Sequence, residues 1–184
     1  MRRCERLVEL EDKLPAMLDR KTTPASPAEQ AEFASLFALK RLDSAAARFY
    51  EEAFAAEPKL ADDLGAGHRY DAACAAALAG CGQGKDADHS DAKERTRFRR
   101  QALDWLRADL AAWGRLLEKE PKKTGPVLAE TMQRWQQDID FAGVRGPAAL
   151  AKLPEAERLE WQQLWAEVAD KLKQAQGKAA TAKK

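Results

Sequence analysis

Two histidines and three cysteines are the residues of this 184-residue chain best suited to ligating a soft metal or offering an imidazole base. Four of them, His68, Cys74, Cys81 and His89, follow one another at intervals of six, seven and eight residues. A zinc site draws its ligands from short paired knuckles, so that one tight turn presents two at once. None of these intervals does so, and the expectation is no metal and no cofactor. Cys74 then reads as a small buried side chain and Cys81 as a plain thiol at a helix end. An odd number of cysteines without framework spacing fits reduced thiols in a cytoplasmic compartment.

The second chemical set is cationic. Lys93, Arg97, Arg100 and Arg107 recur at three-, four- and seven-residue steps, which places them on one helical face with Arg95 and Arg99 nearby. Such a row could hold phosphate, as part of a phosphorylated ligand or a nucleic acid. Asp104 sits inside the row, however, and the formal net charge is only +1. Trp105 and Trp113 fall on the opposite, apolar side, where they cannot stack bases. Nucleic acid is therefore disfavoured as a partner, and a solvated face paired with acids is the simpler reading.

The elements that must carry these residues are helices. The chain holds 38 Ala and 21 Leu against 4 Val and 1 Ile, a composition that forms helices and leaves little to build a sheet. Leu7, Leu10, Leu14 and either Met17 or Leu18 draw a stripe on an N-terminal helix over residues 1–21, with Pro15 predicting a kink or a second short helix. Ser26 before Pro27, with Glu29 three residues on, predicts a helix start, and Asp43 predicts the cap of the next helix, which ends before Pro58. The alanine-dense run RYDAACAAALAG predicts a short helix ending at Gly80. Residues 81–93 are polar and contain glycine, and read as a loop free to move. A long helix follows to Glu120, then a break at Pro121–Gly125. Residues 122–177 hold the C-terminal helices, the last beginning near Pro154, and 178–184 read as a disordered tail. No run reaches the length of about 18 apolar residues a membrane span needs, and acids interrupt the N-terminus where a signal peptide would be apolar.

Antiparallel helix pairs rich in alanine invite a search for a period near 34 residues. Gln30, Phe33, Ala34 and Phe37, followed by Ala46, Tyr50, Ala53 and Pro58, match the tetratricopeptide pattern at every position but Gln30. A degenerate second unit runs through Tyr70, Ala73, Cys74 and Ala77 to Ala102 and Leu106, with extra residues in its turn. The two hairpins span residues 27–121. The expected fold is all-α: a right-handed stack of such hairpins with a C-terminal capping helix.

The stretches HRYDAAC, QALDWLRADL and LPEAER, in this order and with FALKRLDSAAARFYEEAFAAEPKLADDL before them, resemble the C-terminal tetratricopeptide region of planctomycete-type bacterial serine/threonine protein kinases. The resemblance implies a bacterial, non-catalytic helical module associated with a kinase. The catalytic parts themselves are absent from this chain. There is no Gly-rich loop with its strand Lys and no Asp-Phe-Gly, and His68-Arg69-Tyr70-Asp71 departs from a catalytic loop by an intervening Tyr70 and the alanines that follow.

A repeat stack binds through the first helices of its hairpins. The inward positions are Ala31, Ser35 and Leu39 in the first unit and His68, Asp71 and Leu78 in the second, a small and mostly apolar groove. The expectation is a protein or peptide partner, a kinase domain or the chain's own C-terminal helix among the candidates. The basic face is the competing site.

Overall fold

The structure, a computed structural model, describes residues 2–181, with side chains over residues 9–177. The side chain of Cys4 and the tail residues 182–184 lie outside that range. Every regular element among the described residues is helical: α1 (Arg2–Leu18), α2 (Pro27–Leu39), α3 (Asp43–Ala56), a short α4 (Lys59–Asp62), α5 (His68–Gly80), α6 (Ala92–Lys119), α7 (Pro121–Gln137), a short α8 (Pro147–Leu150) and α9 (Glu155–Thr181). The protein is all-α, and among the described residues no helix is long and apolar enough to cross a membrane. The chain divides between Ala102 and Leu103 into two compact units.

In the first unit α1 continues through Pro15 to Leu18, so no second helix starts there. Proline removes one amide, and the buried stripe of Leu10, Leu14 and Met17 holds the helix on both sides of the gap. Ser26 caps α2 as expected: its Oγ accepts from the Glu29 amide at 3.1 Å, and the Glu29 carboxylate accepts in turn from the Ala25 amide at 2.5 Å. A left-handed Arg41 (φ 63°) closes α2, with the Leu42 amide donating to the Phe37 carbonyl, and turns the chain into α3. Phe33, Ala34, Ala46, Tyr50 and Ala53 have no exposed surface. Phe37 and Phe49 meet edge to face with centroids 4.9 Å apart, a pair worth about 1 kcal/mol beyond the area it buries. Gln30, the position off the repeat pattern, donates to Glu52 at 2.6 Å, and Glu52 also takes Arg20 at 2.8 Å. A polar clasp therefore stands where the pattern asks for a large apolar side chain.

Helix α5 packs on both α2 and α3. Ala72 to Gly80 are all buried, on every side of the helix. At its end Gly80 lies so close to α6 that a Cβ would fall 2.4 Å from Arg99 Cγ and 2.8 Å from the Arg99 backbone nitrogen. Arg99 uses that proximity to donate to the Gly80 carbonyl at 2.6 Å, a cation at a helix C-terminus where the dipole favours it.

The segment 81–93 is tied to the first unit at several points and ends in the first turn of α6. Asp86, buried, accepts from the amides of Ser44 at 3.2 Å and Ala45 at 2.9 Å, so it caps α3 from 41 residues further along the chain. Asp43 was the expected cap. It instead occupies the first turn of α3, behind an N-cap Leu42 whose side chain makes no bond. The Lys85 amide donates to the Arg41 carbonyl at 2.7 Å, Ser90 meets Ser44 at 3.3 Å, and Arg95 reaches the Ala87 carbonyl at 3.2 Å.

The second unit is built on α7 packed along α9. Pro121–Gly125, expected as a break, form the first turn of α7: Pro121 takes the opening position, where a missing amide costs nothing, and the Thr124 amide donates to the Glu120 carbonyl at 2.9 Å. The core joins Leu128, Met132 and Trp135 to Phe141, Val144, Trp161, Leu164 and Val168, all at most 1% exposed. Arg145 donates to the carbonyls of Trp135 and Asp138 at the end of α7 and lies over the Trp165 ring, whose Nε1 donates to Val144. Helix α9 continues past Gly177 to Thr181, so the tail does not begin at 178.

Asp86→Ala is expected to cost about 1–2 kcal/mol, the worth of a helix N-cap, and to open residues 81–93 to proteolysis in the folded protein; denaturant titration and limited digestion read both effects. Gly80→Ala is expected to cost about 1–3 kcal/mol, because its Cβ meets backbone that cannot swing aside, even though alanine is the better helix former. Chemical denaturation that found this variant as stable as the parent would contradict the close approach.

Candidate functional site

The site is assembled from three helices of the first unit. Along α2, Ala28, Glu32, Ser35 and Leu39 stand at steps of four, three and four residues, and all are exposed except Ser35, which is half-buried. Beside this ridge, α5 begins with a half-buried His68 and an exposed Asp71. Tyr50 of α3 is completely buried, yet its hydroxyl lies 2.7 Å from Ser35 Oγ. Ser35 Oγ donates to the Ala31 carbonyl at 3.1 Å, which leaves the Tyr50 hydroxyl as donor to Ser35. The rings of His68 and Tyr50 have centroids 6.3 Å apart. The result is a small notch edged by a serine, an imidazole and a carboxylate, with the Tyr50 phenol sealed beneath them.

Of the six inward residues read from the sequence, Ser35, His68 and Asp71 gather around Tyr50, and Leu39 stands clear at 74% exposed. Ala31 and Leu78 do not join them, being 1% and 4% exposed respectively. The groove is closed at those two positions, because α5 is covered on all sides from Ala72 onward. Tyr50 was assigned to the core by its repeat position. Only the proximity of its oxygen to Ser35, fifteen residues earlier, brings it into the site.

The electrostatics of the notch suit recognition more than proton transfer. Burial pushes the Tyr50 phenol well above its ordinary value; the Ser35 hydrogen bond opposes this, and the charges of Asp71 and Cys74 add to it. Tyr50 therefore stays a neutral donor. The His68 Nδ1 is buried and makes no hydrogen bond to another protein group. Cys74 is buried, Cys81 half-buried and His89 exposed in the 3-10 turn Ala87–His89.

The basic face has a different character. Arg97 holds Glu51 with one guanidinium nitrogen against both carboxylate oxygens, at 3.0 and 2.7 Å, and its guanidinium lies 4.9 Å from the centre of the Phe98 ring. Arg48 of α3 pairs with Glu94 at 2.6 Å, so two crossed ion pairs stitch α6 to α3. In the second unit Arg107 pairs with Glu160 at 2.8 Å. Lys93 and Arg100 are exposed. Arg97 and Arg107 are thus employed within the fold, in pairs that exposed geometry makes worth at most about 1 kcal/mol each.

The Tyr50 phenol carries a stability signature. A folded-state value raised above the unfolded one of about 10 favours the protonated form in the folded state, so its contribution is complete below pH 10 and is lost as pH rises above it. Tyr50→Phe is expected to lower stability near neutrality by about 1 kcal/mol through the lost hydrogen bond, and to flatten the alkaline decline. Urea titrations at pH 8 and pH 11 measure both; an alkaline slope unchanged in the variant would place the Tyr50 hydroxyl in water.

Compared with known proteins, the chain matches no family model, no curated protein and no solved structure.

Proposed function

We propose that the chain is a non-catalytic, tetratricopeptide-like module that binds a protein or peptide segment along the ridge of α2 and the start of α5. In this reading α2 with α3, and α5 with the beginning of α6, are successive hairpins of one right-handed stack, derived from the regulatory region of a serine/threonine kinase. The observation that carries it is the packing of α5 against both helices of the preceding hairpin, with Ala34, Ala46, Ala53, Ala73 and Ala77 completely buried at the repeat's small positions. Such nesting is what lets one hairpin extend the next and leaves a first-helix face for a ligand.

The groove supports this reading through its one large exposed side chain, Leu39, beside a notch of hydrogen-bonding groups. A catalytic reading would need a nucleophile and a base within reach of each other, and the notch pairs its serine with a phenol that remains protonated. The basic face is disfavoured because Arg97 and Arg107 are committed to Glu51 and Glu160.

The test places a photo-crosslinking side chain at position 39 or at position 100, on the full chain exposed to an extract of its native cell. Crosslinking to a discrete protein at position 39, lost on a second substitution of Ser35→Arg, is the expected result. Crosslinking confined to position 100, and abolished by Lys93→Glu, would overturn the groove in favour of the basic face.

A further inference from the structure

Helix α1 lies on the first hairpin more as a ligand lies on a receptor than as part of its core. Leu10, Leu14 and Met17 are buried, at steps of four and three residues that mark one face of the helix. Polar contacts close the two ends. Glu11 pairs with Lys40, just past the C-terminus of α2. Arg20 donates to Glu52 of α3 at 2.8 Å, beside the bond that Glu52 accepts from Gln30 near the start of α2. α1 therefore runs antiparallel to α2, the element it chiefly touches. Its hold is slight. Both ion pairs are open to water, a setting in which such pairs contribute little. Pro15 also withdraws the amide that the Glu11 carbonyl would otherwise receive. α5, by contrast, is buried without interruption from Ala72 to Gly80.

We propose that the flank of α2 beneath α1 is a helix-binding site that α1 occupies in its own chain, and that an amphipathic helix of a partner protein takes its place. The occupant sets the chemistry of that partner. It carries apolar side chains at the spacing of Leu10, Leu14 and Met17, an acid one residue after the first of them to meet Lys40, and a cation three residues after the last to meet Glu52. A partner helix without proline at the place of Pro15 keeps the hydrogen bond that α1 lacks, and is the better occupant. The tether of residues 19–26 opposes the exchange by holding α1 at high local concentration, so the site stays closed to poorly formed helices and opens to well-formed ones. Gln30 and Lys40 mark a different flank of α2 from Ser35 and Leu39, so this surface goes beyond the ridge and does not depend on it.

The experiment titrates a fluorescently labelled peptide of residues 5–21 carrying Pro15→Ala into the full chain and reads anisotropy. Loosening the chain's own α1 with Glu11→Lys/Arg20→Glu is expected to tighten binding of this probe about tenfold, the worth of two exposed ion pairs. The same peptide with Pro15 retained is expected to bind at least about tenfold more weakly. A probe that itself carries Glu11→Lys/Arg20→Glu should lose about tenfold on that loosened chain, and regain it on a chain with Lys40→Glu/Glu52→Lys. All four side chains are exposed or half-buried, and thermal melts confirm that each variant folds. No binding to the folded, loosened chain, or equal binding of the direct and charge-reversed probes to every chain, would overturn the site. Light scattering that found the loosened chain dimeric would give the site to a second copy and overturn the partner helix. Hydrogen exchange as slow in α1 as in α5 would show α1 to be fixed in place, and would overturn the exchange itself.

Discussion

The close approach permitted by alanine and glycine around α5 is the constraint on which the first unit depends. Ala72 to Gly80 are all buried, and at Gly80 a Cβ would fall 2.8 Å from the Arg99 backbone nitrogen, so a larger side chain there would force α5 and α6 apart. Alanine brings little hydrophobic area, so stabilisation comes from many short dispersion contacts and from the large buried residues of the first unit, Phe33, Phe37, Tyr50 and Phe98. The same closeness puts Arg99 within reach of the α5 terminus. The first amides of α3, like those of any helix, have no partner within it, a need that Asp86 meets by bringing the loop back across the helix start.

Much of this was readable in the residues. Helix identity followed from composition and period, and the start of α2 followed from Ser26, Pro27 and Glu29, because capping is local chemistry. The small positions Ala34, Ala46 and Ala53 came from the repeat spacing. What escaped was long-range or depended on position. Asp86 lies 42 residues from Ser44, and nothing in a polar, glycine-containing stretch marks which acid will return to a distant helix. Pro121 reads as a breaker in the sequence but opens α7 in the structure, a distinction set by where the preceding helix ends at Lys119.

The site was half legible for a similar reason. A helical wheel gives the direction in which Ser35, Leu39, His68 and Asp71 point, and these do remain accessible in part or whole. It does not say what covers a direction. Ala31 and Leu78 share the inward register but are buried. Tyr50 joins the site because its side chain is long enough for the buried hydroxyl to reach Ser35 of α2 while the ring remains in the core. A repeat pattern that asks only for an aromatic at that position would be satisfied by phenylalanine, so the hydroxyl is the part of the residue that the packing does not require.

The central claim, that the alanine core of α5 is the keystone of the first unit, is tested most directly by native-state hydrogen exchange. The amides of Ala75 to Ala79 are expected to exchange only when the whole unit unfolds, with protection matching its global stability and exceeding that of α1. Exchange of those amides through local opening, at a free energy well below global unfolding and no greater than that of α1, would contradict it.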